Sequence, residues 1–115
     1  MTKEELLDFI TQYIHVELPP KLTNDELEEL ISIGIEKKNK EKLWRLAFNY
    51  ENSNNGFQRI IDYYIEDKDY WYLGELMSAL NDKIDFNYIK EKVNNTKDKH
   101  FINNYNNYIK HIGLE

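Results

Sequence analysis

Apolar residues recur along this chain at helical spacing, and three times they follow the same polar lead. Lys38-Asn39, Lys68-Asp69 and Lys97-Asp98 precede Leu43, Leu46 and Tyr50, then Leu73, Leu76 and Leu80, then Ile102, Tyr105 and Ile109. The leads are 30 and then 29 residues apart. Asn and Asp favour the N-cap of a helix, because a short side-chain oxygen accepts from a backbone N–H of the first turn. Apolar residues at plus 4, plus 7 and plus 11 from that cap share one stripe of an α-helix. A second set repeats in step: Phe57, Ile60 and Tyr64 precede Phe86, Ile89 and Val93 by 29 residues, and Leu27 and Leu30 stand 30 residues before Phe57 and Ile60.

The remaining segments extend the pattern in both directions. Thr2 with Glu5, and Thr23 with Glu26, have capping-box spacing. The first helix is expected to bury a broad face of Leu6, Phe9 and Tyr13 with Leu7, Ile10 and Ile14, and to end at Leu18-Pro19-Pro20. The second carries Leu27, Leu30, Ile31 and Ile35. Asn52-Ser53-Asn54-Asn55-Gly56 and Asn81-Asp82-Lys83 read as turns. The expected fold is all-α: about seven short helices in one domain, 1–115, stacked as antiparallel α-hairpins. Pairs fall at about 2–38, 39–67 and 68–96, with a terminal helix at 97–113. An irregular helical bundle is the alternative.

Short helical pairs with this period resemble the HEAT, armadillo and tetratricopeptide class of α-solenoids over most of the chain. The resemblance rests on helix length and period; the consensus glycines, tryptophan and proline of the tetratricopeptide pattern do not line up. It implies binding through a groove or ridge, and no chemistry.

Composition narrows the function. There is no cysteine among the 115 residues, which excludes disulfides and thiolate metal sites and fits a reducing compartment. The N-terminus lacks a signal pattern, and no apolar run approaches the roughly 20 residues that span a bilayer, so a cytoplasmic location is expected. The net charge of −6 belongs to residues 1–34, with two lysines against eight carboxylates, while residues 35–115 balance. No basic stripe marks a nucleic-acid surface. Abundant Asn, Lys and Ile fit an AT-rich bacterial or phage gene.

Catalytic constellations are not visible. His15, His100 and His111 lack partners at metal-ligand spacing, the last two standing roughly 16 Å apart by helical rise. Gly34, Gly56, Gly74 and Gly113 are isolated, which excludes a phosphate loop, and Ser32, Ser53 and Ser78 lack an evident base. No catalytic, cofactor or metal residue is expected, and the chain is not expected to be an enzyme.

Binding leaves more trace, with nine tyrosines and two tryptophans. With Leu73, Leu76 and Leu80 inward, Trp71 points nearly the opposite way, as a candidate anchor joined by Tyr63 and Tyr88. Asp25, Glu26, Glu28 and Glu29 form an acidic face that suits a helix start and also suits a basic partner. Trp44 and Phe48 read as a second core stripe. Gly74, at the repeat position of Trp44, is expected to admit a neighbouring indole. The leading expectation is an inhibitor or immunity factor that occludes another protein, such as a basic nuclease or toxin. The alternative is a scaffold that forms a homodimer through an exposed terminal stripe of Phe101, Ile102, Tyr105 and Ile109.

Overall fold

The computed structural model describes residues 1–13 and 15–115. Among these the chain forms seven α-helices and no strand: α1 (Lys3–Ile10), α2 (Asn24–Glu36), α3 (Lys40–Asn49), α4 (Gln58–Glu66), α5 (Tyr70–Leu80), α6 (Phe86–Asn95) and α7 (Lys99–His111). The protein is all-α. A 3-10 turn at Asn81–Lys83 follows α5. The helices fall into two compact units, Met1–Ile60 and Ile61–Glu115, and the division lies within α4.

The repeated dipeptide turns out to be a corner. In Lys38-Asn39, Lys68-Asp69 and Lys97-Asp98 the lysine adopts a left-handed conformation, with φ of 52°, 53° and 55°. At the first corner Lys38 N donates to Ile35 O and Asn39 N to Gly34 O, closing α2 with a Schellman pair. Asn39 then caps α3 by accepting from Lys42 N at 3.1 Å. Lys68-Asp69 repeats both halves, with Asp69 N donating to Tyr64 O and its carboxylate accepting from Tyr72 N. Lys97-Asp98 varies the theme: Asp98 N donates to Thr96 Oγ1, which itself donates to Val93 O, so a hydroxyl relays what is elsewhere a direct bond. One residue thus ends each helix and the next begins another. The tight corners lie between α2 and α3, α4 and α5, and α6 and α7.

In the first unit α1, α2 and α3 pack on one another. Leu7, Ile10, Leu27, Leu30, Ile31, Leu43, Leu46 and Ala47 make the core. Gly34 lets α2 and α3 close up: a β-carbon there would stand 2.5 Å from Leu43 Cδ2. The first helix departs from expectation. It stops at Ile10, and Phe9 and Tyr13 are 52% and 64% exposed rather than buried. Ile14 lies outside the described residues. The reason is a cap supplied from α3. Arg45 Nη1 donates to Thr11 O at 2.9 Å and Asn49 Nδ2 to Ile10 O at 3.3 Å, while Thr11 Oγ1 donates back to Leu7 O. Those bonds satisfy the last carbonyls of α1, and the helix ends without a glycine or proline. Asn49 Oδ1 accepts from Val16 N, and Tyr50 Oη donates to Pro20 O at 2.6 Å, which ties the following segment to the end of α3.

In the second unit α7 packs on both α5 and α6. Phe101, Tyr105 and Ile109 are buried, and Ile102 is half-buried. The terminal stripe expected to lie open is therefore covered within the unit; Tyr105 and Ile109 hold their expected inward places, and Phe101 takes the first place in front of Ile102. Gly74 again marks a close approach, but the filling ring is Tyr108: a β-carbon at Gly74 would lie 2.6 Å from Tyr108 Cδ2. The expected indole is not the occupant. Lys68 Nζ pairs with Asp98 Oδ2 at 3.1 Å, which links two of the corners.

Candidate functional site

Each unit carries one of the two expected contact sets. In the second unit Trp71 stands in the first turn of α5, which begins at the Asp69 cap. Residues two, five and six positions on, Leu73, Leu76 and Met77, are fully buried, and helical rotation carries Trp71 to the outer face, 47% exposed. The indole is not loose. It meets Tyr72 edge to face at 4.9 Å and 88°, Tyr72 lies against Tyr64 at 5.6 Å, and Tyr64 against Tyr63 at 5.9 Å. Four aromatic rings thus run from the half-buried Tyr63 through the buried Tyr64 to a solvent-facing tryptophan. Such rings hold position with two side-chain torsions each, so little entropy is lost on contact.

Tyr63 joins this chain of rings and is half-buried. Tyr88 is held separately: its hydroxyl donates to Asp62 Oδ1 at 3.1 Å, and Lys92 Nζ sits 5.6 Å from its ring centroid. Trp71 is therefore the exposed member of the expected trio, and the two tyrosines, on α4 and α6, are partly covered.

A second aromatic group lies on α5 and α7. Tyr70 meets Tyr108 edge-on at 5.9 Å, and His111 lies tilted at 6.3 Å. Tyr108 Oη donates to Glu75 Oε1 at 2.5 Å. Burial, then the Glu75 carboxylate, push the Tyr108 hydroxyl up to about 12.

In the first unit the four acidic residues of α2 separate by role. Glu26 closes the capping box with Thr23 and accepts from Lys3 Nζ at 3.4 Å. Its pKa is lowered, first by the Thr23 backbone N–H and then by the Thr23 side chain and Lys3. Glu28 is held on both oxygens, by Asn55 Nδ2 at 3.0 Å and Arg59 Nη1 at 3.1 Å. Asp25 and Glu29, one helical turn apart, are exposed. The acidic face open to a partner is thus half of the set named from the sequence.

Compared with known protein families, with curated proteins and with solved structures, the chain matches none.

Two features of the first unit escape sequence reasoning. A groove of about 600 Å³ is lined by Pro19, Pro20, Phe48 and Tyr50 with His15 and Glu51. Beyond it, Phe9, Tyr13 and Leu18 stand exposed. The groove and the exposure of Tyr13 and Leu18 follow from the early stop of α1, which depends on Arg45 and Asn49 more than 30 residues away, while Phe9 lies within α1 on the side turned from Leu7 and Ile10. His15 meets Phe48 edge-on at 5.7 Å, and Phe48 stacks on Trp44 at 5.3 Å, so this second aromatic stripe is half-buried rather than core. Among the described residues no three His, Asp or Glu side chains converge as a metal site.

Proposed function

We propose that this chain is a small acidic protein-binding module: an inhibitor, immunity or anti-defence factor of bacterial or phage origin that acts by occluding another protein. The observation that carries the reading is Trp71, nearly half exposed on a helix whose opposite side is buried and braced by a chain of three tyrosines. Large, pre-positioned aromatic rings supply much of the energy of protein interfaces, and truncation of such an anchor costs on the order of 2 kcal/mol or more. The exposed carboxylates Asp25 and Glu29 suit a basic partner such as a nuclease or toxin, speeding encounter more than tightening the complex.

The test starts from capture of a partner in lysate of the native host, followed by purification of that partner and titration calorimetry. Trp71→Ala is expected to weaken binding at least about tenfold while leaving the helical circular-dichroism signal intact. Asp25→Asn with Glu29→Gln is expected to slow association and flatten its salt dependence. Unchanged affinity in the Trp71 variant removes the anchor. A chain that captures only itself, with a doubled mass in light scattering, replaces occlusion by self-assembly.

A further inference from the structure

The turn between α3 and α4 buries a carboxamide beside the one residue that leaves its backbone most open to attack. Asn55 is 8% exposed, and its neighbour Gly56 is exposed with open space where a side chain would stand. Every polar atom of the Asn55 side chain is engaged. Nδ2 donates to Asn24 Oδ1 at 2.9 Å and to Glu28 Oε1 at 3.0 Å, and Oδ1 accepts from Phe57 N at 2.6 Å. A carboxylate on one side and a backbone N–H on the other dictate which atom is nitrogen and which is oxygen. The carboxamide thereby pins the turn to two successive turns of α2. Phe57 holds a left-handed φ of 53°, costly for an aromatic residue, and its ring is 1% exposed in the core.

We propose that Asn55-Gly56 is a self-modification site, gated by opening of this turn, at which deamidation releases the turn from α2. The Gly56 backbone nitrogen attacks Asn55 Cγ, a step that glycine permits because no side chain blocks the approach. The nitrogen–carbon bond forms, the Cγ–Nδ2 bond breaks, and ammonia leaves with the proton from Gly56. Water then opens the cyclic imide at either carbonyl, giving aspartate or isoaspartate, with no oxidant or reductant involved. Turning the carboxamide onto the Gly56 nitrogen breaks its three hydrogen bonds, so the reaction runs through local openings of the turn.

The product does not re-close. Where Nδ2 donated to two oxygens, a carboxylate oxygen now faces the Glu28 carboxylate, two like charges with no hydrogen between them, and Asn24 supplies a donor only by turning its amide round. Isoaspartate also adds a backbone carbon immediately before Gly56 and Phe57, displacing a ring that belongs to the core.

The full chain is held in mildly alkaline buffer, folded or in urea, and each asparagine is followed by peptide mapping and mass spectrometry that separates aspartate from isoaspartate. Asn55 is expected to convert at least about tenfold more slowly in the folded chain than in urea. Asn24→Ala, which leaves the Arg59 link to Glu28 in place, is expected to speed conversion in the folded chain several-fold and to leave the urea rate unchanged. Equal folded and urea rates, or no effect of Asn24→Ala, overturn the gate. Asn55→Asp reproduces the aspartate product and is expected to lower Tm, with partial recovery when Glu28→Gln supplies a donor. An Asn55→Asp chain as stable as the wild type overturns the release.

Discussion

The three lysine corners make the most direct test of the repeat. A lysine in the left-handed region costs roughly 1–2 kcal/mol through contact of its β-carbon with the following carbonyl. Glycine removes that contact but enlarges the unfolded ensemble, at a cost of about 0.4–1 kcal/mol. Lys38→Gly and Lys97→Gly are therefore each expected to stabilise the chain by about 0.5–1 kcal/mol. Lys68→Gly also removes the ion pair with Asp98, whose partners are both partly exposed, a loss of about 0.2–1 kcal/mol that brings the net effect near zero. The ordering matters more than the size: the outer corners gain and the middle one does not. Lys38→Ile reverses the sign, because a β-branched residue tolerates this backbone worst. Urea denaturation read by circular dichroism gives the free energies, with an unchanged slope as the check that only stability has moved. If glycine and isoleucine at position 38 give equal midpoints, the left-handed corner is wrong and the repeated dipeptide has another cause.

Other expectations follow from the packing. Gly74→Ala places a β-carbon 2.6 Å from the Tyr108 ring; overpacking of about 1–3 kcal/mol, less about 1 kcal/mol of helix propensity, leaves a net loss, and in the double variant with Tyr108→Ala the two effects fail to add. Arg45→Ala and Asn49→Ala each strip a donor from the end of α1 and are expected to cost about 1–3 kcal/mol, with faster amide exchange at residues 7–11 and little change in α5. Burial, with smaller contributions from Glu26 and Glu115, raises the hydroxyls of Tyr50 and Tyr105 from 10 to about 12. A group whose pKa is higher when folded contributes fully below its unfolded value, so stability is retained below pH 10 and falls as pH rises toward 12; Tyr105→Phe is expected to flatten the fall in the urea midpoint across that window.

What the chain discloses locally and what it withholds separate cleanly at its helix ends. The caps Thr2, Thr23, Asn39, Asp69 and Asp98 are readable because each acts on backbone three residues away. The corner lysines were visible as a period but not as a conformation, since Asn or Gly, not Lys, is the usual residue at positive φ. The end of α1 was hidden because its acceptors meet donors on another helix. The roles of Glu26 and Glu28 differ for the same reason: one closes the cap of its own turn and reaches Lys3 beyond it, the other bonds to Asn55 and Arg59 across the unit.

An N-cap sets where a helix starts but not which way it faces. In α1, Leu6, Leu7, Phe9 and Ile10 contain two overlapping stripes about 100° apart, and the packing of α2 and α3 selects Leu7 with Ile10. In α7, Phe101 competes with Ile102 in the same way and wins because α5 and α6 both lie on that side. Wherever a helix carries more apolar residues than one stripe can bury, the surplus goes to the surface. That surplus is Phe9 in α1 and Trp71 in α5. Phe9 follows from a contest between two equivalent stripes, so its exposure needs no partner. Trp71 does not: Leu73, Leu76, Met77 and Leu80 already complete the buried face of α5, and a polar residue at position 71 would serve that helix equally well. A tryptophan that stands where the core makes no demand for it, and is braced by Tyr72, is the residue at which a binding function is to be sought.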